Sequence, residues 1–150
     1  MMRLVIATTS VLAVTATIVL AQGAVSPAIK ERQQLMKGQG AAFKEPTAMF
    51  MGEAPFDLAK VQASLTSLQQ SAAKGPSLFP DDSKIGGDTA ALPEIWEKKA
   101  DFNAIFAKLG ADAAAAAANI KDEPTFKAEW PKVVSNCGNC HKTYRATAKK

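Results

Sequence analysis

The residues best suited to chemistry lie close together near the C-terminus, in the run Cys137-Gly138-Asn139-Cys140-His141. C-x-x-C-H is the attachment sequence of c-type haem. Two thiols three apart on a helical turn can reach the two vinyl groups along one edge of a porphyrin. The imidazole that follows then projects beneath the ring toward iron. Gly138 and Asn139 are small and leave room for the ring edge. These are the only two cysteines, and His141 is the only histidine. A zinc site needs about four protein ligands, and no further cysteine or histidine exists to complete one. A thioredoxin-like redox pair would follow a strand in a βαβ unit, and no strand pattern is visible. A plain structural disulfide remains compatible with the pair taken alone.

The chain has 150 residues, enough for one domain with one core. Hydrophobic residues make up 47% but aromatics only 7%, and alanine is abundant, as in the run at 113–118. Such a composition leans helical. The first residues stand apart. A positive start at Met1-Met2-Arg3 precedes an apolar run from Leu4 to Leu20, with a small residue at Ala21. This is the pattern of a cleaved secretory signal peptide over 1–21, which leaves 22–150 as the mature domain. A membrane anchor is the competing reading, but the run is short for a span and carries several hydroxyls. The formal charge is +4. No basic run is interleaved with aromatics, so nucleic acid is not expected as a partner.

Four helices are expected to position the cysteines. The first begins at Ser26, with Pro27 at its first position. Ile29, Met36, Phe43 and Phe50 recur every seven residues along it, and Pro46 should kink or end it. Gly38 and Gly40 would let a bulky group approach its backbone. The second runs from an Asp57 cap to about Lys74, with Leu58, Val61, Leu65 and Leu68 as its buried stripe, and stops at Gly75-Pro76. Residues 75–91 read as a long loop that covers something. The third helix opens at Pro93 and runs through the alanines to about Ile120. The fourth is capped near Asp122. Its stripe Phe126, Trp130, Val133, Cys137, Cys140, Tyr144 puts both cysteines on the buried face, with a local defect at Pro131. The expected fold is all-α: an antiparallel four-helix bundle with haem on the C-terminal helix, between facing helices.

Several segments resemble class II cytochrome c, the cytochrome c-prime family. They are Lys30-Glu31-Arg32-Gln33, Leu78-Phe79-Pro80, Leu92-Pro93-Glu94-Ile95-Trp96, and the C-terminal Cys-x-x-Cys-His followed by Tyr144-Arg145. The resemblance implies one haem c held by Cys137 and Cys140, with His141 as axial ligand. It implies a distal residue one turn after Arg32, which is Met36. The segment Gln34-Leu35-Met36-Lys37 is similar to the low-spin, methionine-ligated branch of the family. The implied function is a periplasmic one-electron carrier with His141/Met36 ligation, not an enzyme. Thioether ligation leaves the coordination sphere almost unchanged on reduction and raises the potential.

The alternative is five-coordinate iron that binds nitric oxide or carbon monoxide, with Met36 as core filler on the Ile29–Phe50 stripe. Leu35 would face iron if the register slipped by one, and Met49 and Met51 are weaker candidates. A peroxidase would need a distal acid–base group, and there is no second histidine. Arg32 is implied beside a haem propionate and Arg145 beside the proximal imidazole, one turn beyond His141 on the same helix face. Expected partners are redox proteins of the periplasm. The mature chain should have no membrane span. A homodimer is also implied, since relatives often pair.

Overall fold

The computed structural model describes residues 25–147. The expected signal peptide over 1–21 lies outside the described residues. The long helices are α1 (Pro27–Phe50), α2 (Leu58–Lys74), α4 (Lys99–Asn119) and α5 (Glu123–Tyr144). A single turn, α3 (Glu94–Glu97), precedes α4. Successive long helices pack on each other, α1 on α2, α2 on α4 and α4 on α5, with α5 closing against α1. The result is the expected four-helix bundle. No strand occurs among the described residues, and no described helix is long and apolar enough to cross a membrane.

Local chemistry accounts for the helix starts. Pro27 opens α1, while the Ser26 hydroxyl caps nothing and turns to Asp82 Oδ2 at 3.4 Å. Asp57 accepts the Lys60 N–H at 3.1 Å and starts α2. At α5, Asp122 accepts the Thr125 N–H at 2.9 Å, and the Thr125 hydroxyl oxygen accepts the Asp122 N–H at 3.1 Å. This reciprocal pair satisfies donors a helix start would leave orphaned.

Two expectations about helix continuity need correction. Pro46 does not end α1, which continues to Phe50. Its ring is fully buried, and this packing offsets the backbone bond that proline cannot make. Pro131, expected as a local defect, is exposed on an α5 that runs on past it. The third helix, expected as one piece from Pro93, breaks at Lys98, which leaves helical geometry (φ −117°, ψ 47°). Tertiary bonds hold the chain on both sides of that break. Trp96 Nε1 donates to the carbonyls of Phe79 and Pro80, each at 3.1 Å, and Lys99 Nζ donates to Phe79 O at 2.9 Å.

The apolar interior divides in two. At one end Val61, Leu65 and Leu68 of α2 meet Ala113 and Ala116 of α4 and Phe126, Trp130 and Val133 of α5. The two alanines are wholly buried, so small side chains let α2 and α4 approach closely. At the other end Leu78, Phe79, Ile95, Phe102, Phe106 and Tyr144 form a second cluster built largely from the connecting segment and its neighbours. Gly75 is required where the two ends meet, because a Cβ there would lie 2.1 Å from the Phe106 ring.

Candidate cofactor site

The heptad stripe of α1 and the C-terminal turns of α5 do not close on each other at the second end of the bundle. A cavity of about 670 Å³ remains between α1, α4, α5 and the 79–91 segment. Cys137, Cys140 and His141 line it from α5, and Met36 lines it from α1. Aromatic and aliphatic side chains, among them Phe79, Ile95, Phe102 and Phe106, make up much of the wall. The expected long loop does cover something. Its Phe79, Asp88, Thr89, Ala90 and Ala91 form one side of the cavity, although 75–78 and 81–83 are short 3₁₀ turns.

The register of α1 is the one that puts Met36 on the cavity wall. Leu35 packs on the second core cluster beside it and does not line the cavity. Met49 is buried in the first core and Met51 is exposed beyond the helix, so neither reaches the cavity. Gly40, one turn after Met36, lines the cavity, and a Cβ there would meet nothing within 4 Å. Gly38 is similarly open but does not line it.

Polar groups gather at one rim. Arg32 donates to Ser83 Oγ at 2.9 Å, to Ser83 O at 3.0 Å and to Thr89 Oγ1. Gln33 Nε2 donates to Asp88 O at 2.7 Å. Arg32 is only 4% exposed, which excludes a solvated surface arginine. Its guanidinium lies 5.0 Å from the Phe79 ring centroid, and burial pulls its pKa down. No carboxylate pairs with it among the described residues. A buried guanidinium without a counterion is a cost the fold carries unless an anion completes it. Arg145 caps the end of α5: its N–H donates to His141 O at 3.3 Å, one turn back, while its own backbone is extended and bridges to Ala91. It still lines the cavity.

Burial sets the ionisation of the three α5 residues. The Cys137 thiol is pushed up by burial, and that of Cys140 to about 11 by burial and then by the neighbouring thiol. His141 is held below its ordinary value, first by burial and then by the Arg145 charge. Its ring is therefore neutral near pH 7 and has a free lone pair. An apolar chamber with a thiol pair and a neutral imidazole on one wall, and an uncompensated guanidinium at its rim, fits haem. The porphyrin face is apolar and its two propionates are anionic.

Sequence reasoning missed Asn136, which is 4% exposed and lines the cavity just before Cys137. Its Nδ2 donates to Asp112 Oδ2 at 2.7 Å, and Lys108 Nζ donates to the same oxygen at 2.6 Å. The Asn136 bond ties the attachment turn to α4, and Lys108 holds the same carboxylate from within α4. The Asn136 bond, and then Lys108, hold the Asp112 carboxyl below its ordinary range. A depressed carboxyl stabilises the fold above the unfolded aspartate value and ceases to do so as pH falls through its own. Asp112→Ala should therefore cost about 1.5–3 kcal/mol at pH 7. The gap from wild type should narrow below about pH 4, as denaturant melts at both pH values would show.

A family model described as "Cytochrome C'" matches residues 27–145. The chain belongs to the cytochrome c' family, the class II c-type cytochromes, and so carries covalently bound haem c. The cytochrome c' of Rhodopseudomonas palustris is 52% identical over 118 residues, covering 79% of this chain and 81% of that protein. The solved structure of a cytochrome c' from the same species superposes with a TM-score of 0.81 at 49% identity, over 83% of this chain and 99% of that one. A cytochrome c-556 of Agrobacterium fabrum is 40% identical over 84% of this chain and 87% of its own length. A nitric oxide complex of a mutant cytochrome c prime from Alcaligenes xylosoxidans superposes at TM-score 0.70 and 27% identity, over 80% of this chain and 94% of that one.

Proposed function

We propose that this chain is a periplasmic monohaem cytochrome c' that passes single electrons and keeps an exchangeable sixth position on its iron. Cys137 and Cys140 would hold the haem by thioether bonds, and His141 would supply a nitrogen to its iron. Arg32, lining the cavity, would meet a propionate, and Arg145 would stand beside the His141 imidazole. The bound haem supplies reversible one-electron chemistry at iron. The chain's own part is to exclude water from one face with Phe79, Phe102 and Phe106, to present a neutral imidazole, and to control access on the Met36 side. The observation that carries this reading is the placement of Cys137, Cys140 and His141 on one cavity wall, with Met36 on α1 as the only sulfur donor elsewhere on its lining among the described residues. No catalytic reaction is proposed.

The exchangeable site replaces the methionine-ligated carrier that the Leu35-Met36-Lys37 segment implied. Similarity to known relatives weighs toward it. The cytochrome c' relative at 52% is more similar than the cytochrome c-556 at 40%. One cytochrome c prime of the family has been solved as a nitric oxide complex. A second reading, permanent Met36 ligation, is favoured by one specific observation: Met36, not Leu35, lines the cavity.

Carbon monoxide titration of the dithionite-reduced holoprotein tests the proposal. A broad high-spin spectrum that converts to a carbonyl spectrum is expected. A sharp low-spin spectrum that carbon monoxide leaves unchanged would overturn the exchangeable site and install Met36 as a fixed ligand.

A further inference from the structure

Lys30, Lys37 and Lys44 recur every seven residues on α1 and are all exposed. At about 100° per residue they form one stripe. Lys37 itself lines the cavity, and Gln33 and Gly40, which also line it, fall beside the stripe. The carboxylates of the same helix face elsewhere. Glu31 pairs with Lys74 and Glu45 with Lys60, both on α2 and both at 3.5 Å. None of the three stripe lysines has a carboxylate within 4.0 Å among the described residues. At the C-terminal end of α5, the exposed Lys142 and the cap residue Arg145 beside the cavity mouth are also without ion pairs among the described residues. Asp88 is the one carboxylate on the cavity lining. The unpaired acids Glu94, Glu97 and Asp101 belong to α3 and the start of α4 instead.

Charge on α1 is therefore sorted rather than scattered. The acids of α1 are used up against α2, and its lysines are left free along the edge of the cavity. We infer that the Lys30–Lys37–Lys44 face of α1 is the docking surface for an acidic redox protein, which exchanges electrons through the cavity mouth it borders. The inference rests on the one-electron reading above. Opposed charge brings two such surfaces together faster than neutral encounter and orients them before contact. The surface works without a large apolar patch, as transient electron-transfer encounters do. Such steering weakens as salt shortens the screening length.

Voltammetry of the holoprotein on gold coated with a carboxylate-terminated alkanethiol tests this, with the coating standing in for an acidic partner. At low salt the wild type should adsorb and give a surface-confined haem wave, which disappears on raising the ionic strength. The K30E/K44E variant, which leaves the cavity lining untouched, should lose at least tenfold of that wave with its optical spectrum unchanged. K121E/K127E, with the same charge change at the start of α5, should retain the wave. Equal waves for wild type and K30E/K44E, or a wild-type wave insensitive to salt, would overturn the docking surface. If a dissolved mediator gives no reversible couple for the wild type, the one-electron reading itself fails.

Discussion

Cys137→Ala/Cys140→Ala protein is expected to retain no haem after acid–acetone extraction, whereas the wild type retains one per chain. The expectation rests on covalency. A thioether survives unfolding; axial ligation and apolar contact do not. Mass spectrometry of the unfolded chain reads the result directly. A haem mass adduct on the double variant would sink the assignment of both cysteines. Each single variant should keep one bond, and with it the adduct, because the two thiols engage different vinyl groups. The double variant should also be less stable, since Phe79, Ile95, Phe102 and Phe106 would then face a chamber with nothing apolar to cover them. His141→Ala separates attachment from ligation. Its adduct should persist while its optical spectrum changes.

Met36→Ala is expected to speed carbon monoxide binding to the reduced holoprotein by at least tenfold. Met36 lines the cavity from α1, and Gly40 leaves open space one turn away, so the thioether can swing between positions. A ligand that must wait for Met36 to leave binds with an apparent affinity reduced by the fraction of time the site is open. Tenfold corresponds to an obstruction of about 1.4 kcal/mol. Flash photolysis measures the rebinding rate. Leu35→Ala is the control. It removes a side chain packed on the second core cluster and should lower stability by about 2 kcal/mol while leaving rebinding unchanged. Rebinding equally fast in wild type and Met36→Ala would show that Met36 does not guard the iron.

Those residues are legible in the sequence because their signals are local. The Cys-x-x-Cys-His spacing, the Asp57 and Asp122 caps and the period-seven stripe of α1 each depend on a few neighbouring residues, and each appears where expected. The bundle follows from four such helices. Signals that depend on distant partners are harder to read. Nothing near Lys98 announces a break. The chain turns there because Trp96 and Lys99 are held by Phe79 and Pro80 from another segment. Pro46 looks like a breaker in isolation and is tolerated because its ring is buried, whereas Pro131 sits exposed inside a helix that continues past it.

Arg145 falls one turn beyond His141 as the helical wheel places it, but the helix ends there. Ala91 bridges to it and draws the chain into an extended path. Asn136 carries no periodic signal of its own. Its importance comes from Asp112, twenty-four residues away. Arg32 can be named from family resemblance, but its burial against Ser83 and Thr89 requires the 80–89 segment to be in place.

The division of the interior into two clusters bears on the order of events in biogenesis. The first cluster draws most of its buried residues from α2, α4 and α5, and only Leu109, with Phe43 packed on the cluster, also lines the cavity. It can therefore form while the chain still lacks haem. The second is assembled around Leu78, Phe79, Ile95, Phe102, Phe106 and Tyr144, next to the cavity, and lacks a neighbour until that space is filled. Amide exchange should accordingly resolve two cooperative units, with Val61, Leu65, Ala113 and Val133 protected even in the haem-free chain and residues 75–98 protected only afterwards. Newly made chains would then offer Cys137, Cys140 and His141 for haem attachment on an α5 already anchored at Phe126 and Trp130, beneath a flap still open.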